Sequence, residues 1–108
     1  MPGESRSTHS QVATLVQEKE DQLWAVVFFN DDVTPFEWVR QLLISLFKHT
    51  ESAAQTITLR VHNEGQGVAG RYPKAKAILL ASKAMMLSQS NGFPLVCKAM
   101  PDVRDSQE

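Results

Sequence analysis

One stretch of the sequence, residues 23–32, limits what this chain can fold into. Leu23–Phe29 is dense in apolar, strand-favouring residues and is too short for a helix of ordinary length. It runs directly into Asn30, Asp31 and Asp32, whereas apolar strands more often end in Gly or Pro turns. The sequence therefore predicts a central buried strand that delivers amide and carboxylate groups to the edge of a hydrophobic core.

A first helix is predicted directly after this strand. Thr34 is a suitable cap, Pro35 suits the first helical position, and Glu37 completes a capping box with Thr34. Apolar residues then recur at helical spacing and mark the buried side of the helix: Val39, Leu42, Leu43 and Leu46.

A second helix is predicted from Glu51, with Thr50 as its cap. Gly65 is well placed to end this helix in a left-handed conformation. Within the helix, Thr58 and His62 are four residues apart, so their side chains share one face and lie one turn from each other.

The remaining elements are a short strand, a third helix and a last strand. The strand is predicted at Val68–Tyr72, the helix from Pro73 to about Gln89, and the last strand at Leu95–Met100. The order βααβαβ predicts an α/β (α+β) domain, in which three helices pack on one face of a small three-stranded, mostly antiparallel sheet. The third helix has a packing stripe with two further apolar residues beside it: Ala77, Leu80, Ala81 and Ala84, with Ile78 and Met85.

The composition fits one domain preceded by a polar segment. Of the 108 residues, 43% are hydrophobic, and we expect a flexible tail over residues 1–21 and a single domain over residues 22–108. No apolar run approaches the ~20 residues that cross a bilayer, and no signal-peptide pattern is present, so we expect a cytoplasmic protein without a membrane partner. The formal net charge of −1 argues against a nucleic-acid binder, which needs a basic face.

The residue chemistry alone leaves several functions open. An Asn-Asp-Asp cluster is equally typical of a simple turn, and a single histidine such as His62 is more often a packed or exposed side chain than a functional one. Adjacent Asp side chains point apart, which disfavours a metal site, and no cofactor is predicted. An enzyme is disfavoured because the chain has no nucleophile motif or glycine-rich loop, and because Cys97 lies in a predicted buried strand.

Four segments together resemble the bacterial ClpS adaptor family: Val27–Val39, Val61–Gly65, Gly70–Tyr72 and Pro94–Cys97. The first is the most specific, since a hydrophobic strand there leads into Asn-Asp-Asp and then into Thr-Pro-x-Glu. The resemblance covers residues 23–100 with almost no gaps. It implies an adaptor, not an enzyme, that binds proteins by their N-terminal residue. It also implies transfer of those proteins to a ClpA- or ClpC-type AAA+ unfoldase for degradation by ClpP.

The resemblance also implies roles for individual residues. Asn30, Asp32 and His62 should surround the α-ammonium group of a bound N-terminus. Asp31 should add charge and backbone contacts, and Thr34 should contact the peptide next to the first residue. These roles suit a free α-amino group, which has a solution pKa near ~8 and is mostly a cation at neutral pH. The expected first residues are Leu, Phe, Tyr and Trp, and by resemblance the walls of their pocket are Phe36, Val39, Thr58, Val61 and Leu95.

Two sets of residues depart from the commonest family pattern. Phe36 and Thr58 stand at pocket positions where many members carry Met, so we expect a reshaped pocket and an altered ranking of first residues. Ala75 and Leu80 stand where members carry the Glu and Lys that dock the unfoldase. This difference leaves the identity of the unfoldase open, although three lysines lie nearby: Lys74, Lys76 and Lys83.

Three alternative interpretations remain at this point. The chain could be a regulator that docks on an unfoldase without recognising N-termini, a ribosomal-stalk-like domain of similar layout, or an Asp/His hydrolase. Neither of the first two needs an acidic cluster together with a histidine, and the third predicts turnover of a peptide or ester. The resemblance further implies that the unfoldase engages the polar segment, here residues 1–21.

Overall fold

The structure, a computed structural model, describes residues 22–102. Its central element is β1, Trp24–Phe29, whose four middle residues are all buried. The strand predicted at Leu23–Phe29 is thus confirmed to within one residue. The predicted tail over residues 1–21 lies outside the described residues, as do residues 103–108.

Strand β1 lies between two antiparallel partners, β2 (Gln66–Tyr72) and β3 (Val96–Pro101), in the order β2-β1-β3. The predicted three-stranded antiparallel sheet is confirmed. β2 begins two residues earlier than the predicted Val68–Tyr72, because its first two residues pair with Phe29 and Phe28 of the central strand. Pairing with β1 overrides the weak strand propensity of those two residues.

Three helices pack on one face of this sheet: α1 (Phe36–Ser45), α2 (Glu51–Glu64) and α3 (Lys74–Ser90). The predicted order βααβαβ is confirmed. Val26 and Phe28 alternate with their neighbours along β1, so both project to the helix side and join the core. No helix within residues 22–102 combines the length and the apolar character needed to cross a membrane. The core side chains from the helices and the chain around β3 include Leu43, Ala54, Val61, Ala77, Ala84, Leu95 and Cys97.

The start of α1 differs from the prediction. Its N-cap is Pro35 rather than Thr34, and no side chain among the described residues caps the helix. Thr34 instead donates its hydroxyl to Asp31 at 2.8 Å. Glu37, the expected capping-box partner, accepts from Arg40. The prediction was wrong because an ionised carboxylate three residues upstream is a strong acceptor and draws the hydroxyl away from the helix.

Helix α2 begins and ends as predicted. Thr50 accepts the backbone N–H of Ala53 at 3.1 Å, and Gly65 follows the helix with a φ of 91°. A residue with a Cβ adopts that conformation only at a cost, so glycine is the suitable residue. The Gly65 carbonyl also accepts the backbone N–H of Asn30 at 2.9 Å, which ties the end of α2 to the end of β1.

Helix α3 is buried on one side only. Its predicted packing stripe is buried. Of the two residues that depart from the family pattern, Leu80 belongs to this stripe and is buried, whereas Ala75 is exposed. Ile78, predicted beside the stripe, is also exposed. The reason is that Ile78 lies about 100° around the helix from Ala77, which points into the core.

Candidate functional site

A single carboxylate holds the loop between β1 and α1. Asp31 Oδ1 accepts the backbone N–H groups of Val33 at 2.8 Å and of Thr34 at 2.7 Å. Its Oδ2 accepts the Thr34 hydroxyl at 2.8 Å. An aspartate that bonds a backbone N–H two residues ahead forms an Asx-turn. The loop is therefore closed by its own residues and needs no ligand to shape it.

These hydrogen bonds favour the ionised form of Asp31. Partial burial alone would raise the pKa of Asp31, but the hydrogen bonds from Thr34 and Val33 together outweigh burial and lower this pKa below its ordinary value. The carboxylate is consequently charged at neutral pH. Together with the adjacent Asp32, it makes this loop a site of concentrated negative charge.

The loop, α1 and α2 enclose a cavity of about 220 Å³. Its lining unites two separate parts of the chain, residues 30–39 and residues 58–62. Nine of the ten predicted site residues line the cavity: Asn30, Asp31, Asp32, Thr34, Phe36, Val39, Thr58, Val61 and His62. The structure does not bring the tenth, Leu95, to the cavity, because this side chain is buried in the core just before β3.

Burial divides the lining into a polar mouth and an apolar interior. Asn30, Asp32 and His62 are exposed, whereas Val39 and Val61 are buried. Among the described residues that line the cavity, none is Lys or Arg, so its carboxylates have no cationic partner there. The cavity is chemically suited to a group that is cationic at one end and apolar at the other.

Phe36 and Thr58, the two unusual pocket residues, shape the wall in different ways. The ring of Phe36 meets the His62 imidazole edge to face, with centroids 6.3 Å apart and planes at 81°. Thr58 is only 2% exposed, and its hydroxyl donates to the Ala54 carbonyl at 2.6 Å. The hydroxyl proton is therefore used within α2, and only the oxygen lone pairs are left for a ligand.

Residues 22–102 do not support a metal site or a reactive cysteine. They contain no group of three or more His, Cys, Asp or Glu side chains arranged to hold a metal ion. Cys97 is buried, and burial raises the pKa of its thiol to about 12. Such a thiol is a poor nucleophile at neutral pH. The cavity therefore offers hydrogen-bond acceptors at its mouth and apolar contact within.

Comparison with known proteins identifies the family. A family model described as ATP-dependent Clp protease adaptor protein ClpS matches residues 19–98. The chain belongs to the ClpS family. It is 38% identical over 93 residues to the ClpS adapter of Deinococcus radiodurans, covering 86% of this chain and 82% of the relative. It is 34% identical over 91 residues to ClpS of Treponema denticola, covering 82% and 90%.

A solved ClpS structure has the same fold. The structure of Agrobacterium tumefaciens ClpS2 bound to L-phenylalaninamide matches with a TM-score of 0.72 and 30% sequence identity, covering 75% of this chain and 98% of that one. ClpS proteins are substrate adaptors of the Clp protease and not enzymes. The hydrolase interpretation is therefore excluded, and so is a ribosomal-stalk-like domain.

Replacing Asp31 by Asn should destabilise this ClpS domain at neutral pH. Asparagine keeps one acceptor oxygen but loses the charge and the second acceptor, which holds the Thr34 hydroxyl. We expect a loss of about 0.5–1 kcal/mol in the free energy of unfolding at pH 7, a small value because solvent still screens this partly buried carboxylate. Urea denaturation measures this loss, with Asp32→Asn as the control, because Asp32 accepts none of these loop hydrogen bonds.

The pH dependence of this loss follows from the lowered pKa of Asp31. The stabilising contribution is complete above the ordinary Asp pKa of about 4, and it is lost as the pH falls through the lower pKa of the folded state. The stabilities of the wild type and Asp31→Asn should therefore converge at a pH below the lowered pKa of the folded state. A difference that stays constant down to that pH would contradict an ionised acceptor at Asp31.

Proposed function

We propose that this protein binds other proteins by a free N-terminus that begins with Leu, Phe, Tyr or Trp. It then delivers them to a ClpA- or ClpC-type AAA+ unfoldase for degradation by ClpP. The observation that carries the proposal is the cavity lining, in which exposed acceptors surround the mouth and buried apolar side chains form the interior. An N-terminal residue has the matching chemistry, because one carbon joins its cationic amine to its side chain.

The mouth of the cavity is suited to an ammonium group. Asn30 offers an amide oxygen, Asp32 a carboxylate, and a neutral His62 imidazole one further acceptor nitrogen. An ammonium group has the donors and the charge to satisfy all three. An internal peptide N–H is a single neutral donor, so it would leave desolvated acceptors unpaired. The site therefore selects chain starts over internal segments.

Neither half of the cavity is sufficient for tight binding alone. Burying a Leu or Phe side chain contributes roughly 1.5–3 kcal/mol. Each charge-assisted hydrogen bond to the amine adds about 1.5–3 kcal/mol. Micromolar affinity requires about 8 kcal/mol in total, after the costs of association. A ligand therefore needs both a free amine and a large apolar first side chain.

The cavity as a whole is of a size suited to one side chain and its amine. Its volume of about 220 Å³ is below the ~300–1,000 Å³ of pockets that hold drug-sized molecules. Because the Thr58 hydroxyl already donates to Ala54, its oxygen is left as an acceptor in the wall. A tyrosine hydroxyl can donate to such an oxygen, which supports Tyr among the ligands.

The ligand of the similar solved structure supports the same ligand class here. The Agrobacterium ClpS2 chain was bound to L-phenylalaninamide. That molecule has a free α-amine, a benzyl side chain and an amide in place of the next peptide bond, so it resembles the start of a protein that begins with Phe. Its chemistry matches the polar mouth and apolar interior of the cavity in this chain.

Delivery to an unfoldase is proposed from family membership. The named relatives are adapters of the ATP-dependent Clp protease, and we place this protein with such a protease in the cytoplasm. The choice between a ClpA-type and a ClpC-type partner depends on α3. There, exposed Ala75 and buried Leu80 stand at the positions where the resemblance implies a docking Glu and Lys.

Titration of Phe-started and Leu-started peptides, free and N-acetylated, tests recognition of the amine. Free peptides should bind with a Kd near ~1 μM. Acetylation removes the charge and two donors, so it should weaken binding by about 100-fold or more. Fluorescence anisotropy measures both affinities. Equal affinities would refute N-terminal recognition and favour a regulator that docks on the unfoldase without it.

The same titration with His62→Ala assigns the effect to the cavity mouth. Loss of one acceptor should cost about 1.5–3 kcal/mol, or ~10- to 100-fold in Kd, and only for peptides with a free amine. Asn63→Ala is the matched control, because Asn63 is exposed beside His62 on α2 but does not line the cavity. It should keep the wild-type affinity.

Thr58→Met should change the ranking of first residues. The longer side chain reduces the cavity and removes the acceptor oxygen, and overpacking of this kind costs roughly 1–3 kcal/mol. Peptides that begin with Trp or Tyr should therefore lose about tenfold in affinity relative to those that begin with Leu. A peptide series that varies only in the first residue measures this. A wild-type ranking dominated by Leu, with Tyr and Trp excluded, would contradict the proposed role of Thr58.

Removing residues 1–21 should separate binding from delivery. Peptide affinity should be unchanged, because residues 30–62 supply the whole described lining of the cavity. Degradation of a fluorescent Phe-started substrate by ClpP with ClpA or ClpC should stop. Loss of peptide binding together with degradation would show that the segment supports the domain itself, contrary to this proposal.

A further inference from the structure

Helix α3 carries most of the large apolar side chains that are exposed among the described residues. Seven large apolar side chains are exposed among the described residues, and four of them belong to α3: Ile78 (45%), Leu79 (53%), Met86 (63%) and Leu87 (44%). Apolar surface concentrated on one element is typical of a binding surface. On the side of α3 opposite the core, four exposed residues follow one another at intervals of four, three and four positions. This spacing places them in one row along the helix. We name this row the outer face of α3, and it consists of Ala75, Leu79, Ser82 and Met86.

The charge on α3 has a single sign. Lys74, Lys76 and Lys83 are exposed, the helix contains no Asp or Glu, and none of these lysines forms an ion pair within residues 22–102. Its N-cap, Pro73, makes no side-chain cap, so the positive end of the helix dipole adds to this charge. A second copy of α3 would bring like charges together. The outer face therefore suits an apolar segment with acidic residues.

The chain itself contains such a segment before β1. Val12, Leu15 and Val16 recur at the spacing of one helix face. Acidic residues follow within the next five positions: Glu18, Glu20 and Asp21. Lys19 lies among them, so the segment combines apolar residues on one face with a net negative charge, and both complement α3.

The geometry of the described domain places this segment within reach of α3. The Lys74 ammonium lies over the Trp24 ring, 4.9 Å from its centroid, so the chain enters the domain beside the first turn of α3. Residues 17–23 can span up to about 23 Å when extended, and the 17 residues of α3 span about 25 Å. The order along the chain also fits, because the acidic residues come nearest the first-turn lysines and the apolar residues reach the outer face.

We infer that residues 12–21 bind in cis along the outer face of α3. In this arrangement, Val12, Leu15 and Val16 contact the outer face of α3, and the acidic residues of the segment lie beside the α3 lysines. The contact covers apolar surface that the domain otherwise exposes. It is independent of amine recognition, because α3 contributes no residue to the cavity lining.

Paramagnetic broadening in the full-length protein tests this contact. A spin label attached at Ser10→Cys reacts selectively, because the native Cys97 thiol is buried. The label should broaden the methyl signals of Leu79 and Met86 strongly and that of Leu59, exposed on α2, weakly. Equal broadening of all three signals, or broadening of none, would overturn the inference.

Two paired variants locate the contact. Leu15→Asp with Val16→Asp should abolish the selective broadening, whereas Thr14→Asp with Gln17→Asp adds the same charge on the other side of the segment and should preserve it. Charge reversal at Lys76 and Lys83 to Glu should lower the docking equilibrium constant by roughly fivefold. Broadening that is the same in every variant would overturn the inference.

Mixed samples exclude other occupants. Spin-labelled protein without isotopes, mixed with isotope-labelled protein that carries no spin label, should produce no broadening of the Leu79 and Met86 signals. Broadening in the mixture would assign the outer face to a second copy and overturn binding in cis. Peptide affinity should be unchanged throughout, so failure here is distinguishable from failure of N-terminal recognition.

Discussion

The carboxylate of Asp31 is the contact on which the functional site depends. It accepts two backbone N–H groups and the Thr34 hydroxyl, and it thereby fixes the loop that follows β1. The loop cannot relax without leaving an ionised group short of donors, which is costly. Asn30 and Asp32, on either side of Asp31, are consequently held at the mouth of the cavity. If an amine binds here as proposed, it meets acceptors that are already in place, so little binding free energy is lost to ordering the loop.

The cavity depends equally on how α2 is attached to the rest of the domain. The Gly65 carbonyl bonds to the Asn30 N–H, so the end of α2 and the end of β1 move together. The edge-to-face contact between Phe36 and His62 joins the start of α1 to the same helix. Acceptors from the loop and from α2 therefore keep a fixed spacing. Recognition of a charge and of a side chain at once requires such a spacing, since both must be satisfied by one residue of the ligand.

Features set by local interactions could be predicted from the sequence, and those set by competition could not. The Thr50 cap and the Gly65 terminus depend only on neighbouring residues, and both are confirmed. The cap assigned to Thr34 was wrong because a carboxylate upstream competes for its hydroxyl. Nine residues that the resemblance implied for the site lie together in the cavity lining, because the fold brings residues 30–39 and residues 58–62 to one place. Leu95, implied by the same resemblance, is instead buried in the core just before β3, and a local sequence pattern does not fix that tertiary packing.

Opposite charges on two separate surfaces give a reason why the acidic segment does not compete with ligands. The cavity lining includes two carboxylates and no Lys or Arg among the described residues, so it repels an acidic chain and attracts an amine. The only charged residues of α3 are lysines, so this helix attracts that same acidic chain. The two surfaces belong to different elements and share no residue. Long-range electrostatics therefore favours the acidic segment at α3 and a free amine at the cavity. The proposed cis contact is directed away from the candidate ligand site in this way.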